Sequence, residues 1–90
     1  MQHLRESVAA EIETLGRKIK AAPSEVAVTT ALDNFRDRLQ KLGVGVGAIL
    51  GRDSGQAATF LTGKYGSVIV RPSVDGKNVG VTDVLQDEEV

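Results

Sequence analysis

The sequence predicts one small α+β domain over residues 1–85: an N-terminal helical hairpin packed on a four-stranded antiparallel meander sheet. Three observations carry this. The composition changes at Gly43, with one glycine before it and nine from there on. Apolar residues recur at helical spacing before that point. After it, short runs rich in β-branched residues alternate with turn residues.

The first helix is expected over residues 3–21. Leu4, Val8, Ile12, Leu15 and Ile19 are spaced 4, 4, 3 and 4, which builds a single apolar stripe. Glu6 precedes Arg17, Lys18 and Lys20 along the segment, an order that suits the helix dipole. Gly16 weakens the interior by roughly 1 kcal/mol relative to alanine unless a close neighbour needs the space. Pro23 disfavours helix at Ala22 and ends the segment.

A second helix is expected over 24–42, with Ser24 as its N-cap and Gly43 as its stop. Thr30 and Asp33 have capping-box spacing, so a later start is the alternative. Val28, Leu32, Phe35, Leu39 and Leu42 follow a heptad-like 4, 3, 4, 3 spacing. Two readings fit this seam: ordinary core packing, or an interface in which Val28, Leu32, Phe35 and Leu39 meet a second copy.

Four strands are expected at 44–50, 57–62, 67–71 and 78–83. Arg52-Asp53-Ser54-Gly55, Gly63-Lys64-Tyr65-Gly66 and Ser73-Val74-Asp75-Gly76-Lys77 mark the turns. Connections this short favour an antiparallel meander. Residues 86–90, Gln-Asp-Glu-Glu-Val, read as a solvated acidic tail.

A chain of 90 residues has a thin core. Three aromatics (Phe35, Phe60 and Tyr65) leave packing to aliphatic side chains. With no cysteine and a single histidine, His3, neither a disulfide nor a structural zinc site is expected, and no cofactor or metal. Oligomerisation is the remaining way to bury more surface. The longest apolar run, Leu42 to Leu50, is too short to span a membrane. The first residues lack the pattern of a signal peptide, so the expected compartment is cytoplasm, or host cytoplasm for a viral source.

Catalytic motifs fail on inspection. Gly63-Lys64 is followed by Tyr65 and lacks the upstream glycine of a phosphate-binding loop. Gly45-Val46-Gly47-Ala48-Ile49-Leu50-Gly51 is one residue too long for a dinucleotide fingerprint. The serines have no partner base, and Asp53, Asp75 and Asp83 lie where turn-forming aspartates belong. The expectation is a protein that is not an enzyme.

The glycines are the most unusual feature. Gly43, Gly45 and Gly47 alternate with Val44 and Val46, and Gly80 repeats the theme in the last strand. In extended chain this leaves one sheet face partly bare of side chains, open to another copy or to a flat ligand. The sheet region from Gly43 to Thr82 carries a net +2 within a chain of net −1. Arg52, Lys64 and Lys77 flank glycine-containing turns, whose backbone N–H groups suit anions. Arg71 precedes Pro72, and Tyr65 offers a ring for stacking.

The leading expectation is therefore a homo-oligomer that binds or sequesters a small anionic ligand such as a nucleotide at a subunit junction. Its candidate ligand residues are Arg52, Lys64, Tyr65, Arg71 and Lys77; its candidate interface includes Gly45, Gly47 and Gly80. The alternative is a protein-binding module: an inhibitor, an antitoxin-like partner or a particle-assembly component. Near-balanced charge argues against nucleic acid as the partner.

Overall fold

The computed structural model describes residues 2–47, 58–73 and 76–85. Helix α1 spans Gln2–Ala21 and helix α2 spans Glu25–Lys41. Val8, Leu15 and Ile19 of α1 are buried, as the stripe requires, and Leu4 packs partly against them. The first turn of α1 carries no acidic residue, so the dipole is complemented only at its C-terminal end, by Lys18 and Lys20.

Both ends of α2 are built as the sequence implies. Ser24 is extended, and its hydroxyl accepts a hydrogen bond from the Ala27 N–H at 3.2 Å, which rules out the later start. At the other end the Val44 N–H donates to the Leu39 carbonyl at 2.9 Å, and the Gly43 N–H donates to that of Gln40 at 3.0 Å. This pair of bonds is a Schellman motif, closed by Gly43 at φ 83°. Arg38 Nε donates to Glu11 Oε1 at 2.8 Å and links the two helices across their exposed side.

Four strands follow: β1 Gly45–Gly47, β2 Thr59–Gly63, β3 Gly66–Pro72 and β4 Asn78–Leu85. Their order in the sheet is β1-β4-β3-β2. The last three form the expected antiparallel meander, with Leu61 opposite Val68 and Val70 opposite Val81. The first strand departs from it. β1 pairs with β4 in parallel, placing Val46 beside Val79 and Gly47 beside Gly80. The sheet is thus mixed, with β1 and β2 at opposite edges and pointing the same way. Parallel strands cannot be joined by a tight hairpin, and β1 and β2 are not neighbours, which corrects the expected all-antiparallel order; the turn expected at 52–55 lies outside the described residues. The helices account for this placement. α1 lies over β2 and β3, while α2, beside α1, lies over β1, so the chain leaving α2 reaches the free edge of β4.

The core lies between helices and sheet. From the sheet come Val68, Val70, Val79 and Val81; from α2 come Val28, Leu32, Phe35 and Leu39, each 3% exposed or less. That burial identifies the heptad-like seam. Val28, Leu32, Phe35 and Leu39 are enclosed by their own chain and have no surface to offer a second copy. Among the described residues no polar or charged side chain is buried in this core.

Two glycines explain how closely α1 approaches the sheet. A Cβ on Gly63 would collide with the backbone carbonyl of Ile19, and one on Gly16 would sit 3.1 Å from Leu61 Cδ2. Gly16, unfavourable in isolation, leaves room for Leu61.

Candidate functional site

Strand alternation sorts the sheet into two faces. The covered face carries Leu61, Val68, Val70, Val79 and Val81. The register places their neighbours on the other face: Phe60 opposite Ile69 and Ile69 opposite Thr82, then Arg71 opposite Gly80. Gly80 in turn lies beside Gly47, and Gly45 beside Asn78. Among the described residues neither helix touches this second face, because both pack on the valine side.

This second face, on which no described helix packs, has a distinctive composition. Phe60 is 67% exposed, the most exposed aromatic described. At the opposite edge Gly45 and Gly47 are exposed and bring no side chain. Arg71 is the only charged residue placed on this face by the register, and it stands in one row with Gly80 and Gly47. Its Nε is buried and has no hydrogen-bond partner. Leaving a charged donor unsatisfied is costly, so Arg71 is the polar group on this face with most to gain from an acceptor.

The remaining ligand candidates divide between the two ends of the sheet. Lys64 and Tyr65 form the β2–β3 turn, with the ammonium 5.4 Å from the ring centroid. Tyr65 packs partly against the core, so one side of its ring is already occupied. Five residues of strand separate this turn from Arg71, roughly 20 Å at the usual rise. Lys77 is exposed and lies at the Arg71 end, where its carbonyl accepts from the Gly45 N–H at 2.8 Å. Arg71, Lys77 and the three glycines therefore share one end of the sheet, whereas Lys64 and Tyr65 do not. Arg52 lies outside the described residues.

Sequence reasoning missed Phe60. It singled out Tyr65 as the accessible ring, while the register turns Phe60 outward and leaves Leu61 on the core side. The only available signal was the alternation of 59–63, in which Phe60 and Leu61 compete for the inner face.

A second concavity lies on the covered side. A groove of about 890 Å³ runs along α1 from Arg5 to Lys20, beside Thr59 and Leu61 of β2 and the Pro72–Ser73 end of β3. Val8, Ile12 and Leu61 line its floor, and Arg5, Arg17 and Lys20 stand on its rim. It includes none of Lys64, Tyr65, Arg71 and Lys77. Its basic rim is offset by Glu6 and Glu13, the latter 3.7 Å from Arg17. The groove's lining thus keeps a net positive charge with Arg17 paired to Glu13, whereas the unpartnered buried donor among the described residues is Arg71 Nε, on the other face.

Among the described residues, no group of three or more His, Asp or Glu is arranged to hold a metal, and no helix is long and apolar enough to cross a membrane. The chain matches no protein-family model, no curated protein and no solved structure.

Proposed function

We propose that this chain is a non-enzymatic, homo-oligomeric binding protein that takes a small anion, such as the phosphates of a nucleotide, at Arg71 on the sheet face opposite the helices. One observation supports the reading above the others: Arg71 Nε is buried without a hydrogen-bond partner, in a row whose neighbours Gly80 and Gly47 bring no side chain to obstruct a ligand. Guanidinium is the side chain best matched to phosphate oxygens, which it meets with paired N–H donors. Lys77 adds positive charge at the same end of the sheet. The candidate residues include no base or nucleophile set, so the reading is binding or sequestration rather than turnover.

The test is calorimetric titration of ATP, and of pyrophosphate, into wild type and Arg71→Ala. The expected result is a loss of at least about tenfold in affinity, corresponding to about 1.4 kcal/mol, with unchanged circular dichroism and with ATP recovered intact. Equal affinity in the two proteins would remove Arg71 from the site. The alternative, a protein partner on the same face, rests on the exposed Phe60 and the scarcity of charge there. Absence of anion binding by the wild type, together with a stoichiometric protein partner, would favour it.

A further inference from the structure

We propose that the groove along α1 binds a long-chain amphipathic anion, such as a fatty acid, with its carboxylate at Arg5 and its alkyl chain running toward Gly16. This site lies on the helix side of the sheet and shares no residue with the Arg71 row. It stands or falls independently of anion binding there.

Shape comes first. At about 890 Å³ the groove falls within the range of small-molecule sites. Arg5 and Lys20 mark its two ends on one helix, roughly 22 Å apart at the helical rise. Between them Val8, Ala9, Ile12 and Gly16 form the α1 wall, and Leu61 belongs to the β2 wall. The two walls meet closely at Gly16, where a Cβ would sit 3.1 Å from Leu61 Cδ2. The result is a long, narrow trough rather than a round cavity.

Composition then selects the occupant. The floor is aliphatic, and of the polar lining residues Ser73 is already engaged, its Oγ accepting from the Asn78 N–H at 3.1 Å. A peptide laid along this floor would carry an amide about every 3.4 Å. Aliphatic side chains cannot replace the water those amides lose. An alkyl chain has no such groups, and every methylene it removes from water favours binding.

Charge selects the sign and the end. Three cations against two carboxylates leave the lining with one positive charge in excess. Arg17 and Glu13 lie 3.7 Å apart and answer each other, whereas Arg5 and Lys20 join none of the ion pairs among the described residues. Of these two, Arg5 is the better anchor. Gly76, buried and at φ 76°, lies against its stem, and a Cβ there would sit 2.9 Å from Arg5 Cγ. A stem held in this way loses less freedom when its guanidinium meets a carboxylate through paired N–H donors. Glu6 stands exposed on the same rim, where solvent and salt screen its repulsion.

Calorimetric titration of dodecanoate and of uncharged dodecanol into wild type, Ala9→Phe and Arg5→Gln tests this. Ala9 is exposed, and glutamine keeps the Cγ methylene that rests on Gly76, so both variants should retain the wild-type circular dichroism. Thr59→Phe narrows the groove from the strand side, and decides the matter where Ala9→Phe does not fold. The expected result is saturable wild-type binding of both probes, weakened at least about tenfold by a phenylalanine in the groove. Arg5→Gln should lose about tenfold for dodecanoate and nothing for dodecanol. No saturable wild-type binding of dodecanoate would overturn the proposal, and so would a folded phenylalanine variant of unchanged affinity. Equal affinity of wild type and Arg5→Gln for dodecanoate would refute the carboxylate anchor.

Discussion

Gly63 lies directly beneath the backbone carbonyl of Ile19, where β2 passes under the last turns of α1. A methyl group there would meet main chain, which cannot rotate aside. Gly63→Ala is therefore expected to cost about 1–3 kcal/mol, the usual range for overpacking. Gly16→Ala is a contrasting case: its neighbour is the end of the Leu61 side chain, 3.1 Å away and able to shift. There the gain in helix propensity, about 1 kcal/mol, offsets the crowding, and the net change should be near zero. Thermal unfolding of the two variants checks the contrast. Equal destabilisation would mean that helix–strand spacing does not depend on Gly63.

Gly43 is the left-handed residue that closes α2, at φ 83°, and a Cβ there has open space around it. The cost of Gly43→Ala is therefore conformational alone, about 1–2 kcal/mol. Gly43→Asn should cost less, because asparagine tolerates this region better. Urea unfolding of both variants measures the difference, and an alanine variant as stable as wild type would contradict the cap.

The two ends of the sheet should separate in binding. Lys64 and Tyr65 stand roughly 20 Å or more along the strand from Arg71, so Lys64→Ala and Tyr65→Phe are expected to leave ATP affinity unchanged. Lys77→Ala should weaken it, though less than Arg71→Ala, because Lys77 adds charge near the site rather than a contact within the row. The same titrations, repeated at rising salt, check the ranking. A loss at Lys64 equal to that at Arg71 would place the anion elsewhere.

How far the sequence reveals this molecule depends on how local each signal is. Both helices were legible, because Ser24, Pro23 and Gly43 act within a turn of their own positions and the apolar spacing is unambiguous. The meander of β2, β3 and β4 was legible for the same reason, through the short links at 64–65 and 73–77. The position of β1 was not. Val44 and Val46 announce a strand, but its pairing with β4 follows from where α2 sets the chain down, a relation between residues far apart in sequence. The glycines show both sides of this. Alternation placed Gly45 and Gly47 on one face, yet Gly43, in phase with them, serves the helix cap instead. The seam of Val28, Leu32, Phe35 and Leu39 could not be divided between core and interface by spacing alone, since both need the same stripe. Phe60 went unnoticed because an aromatic in a strand is ordinarily read as facing inward.

Native mass spectrometry of the untagged chain, purified from its own source, tests the central claim most directly, because one spectrum gives both subunit number and retained mass. The expected spectrum is an oligomer carrying a fixed additional mass of an anionic compound, with that mass absent from Arg71→Ala. A bare wild-type monomer would contradict the account.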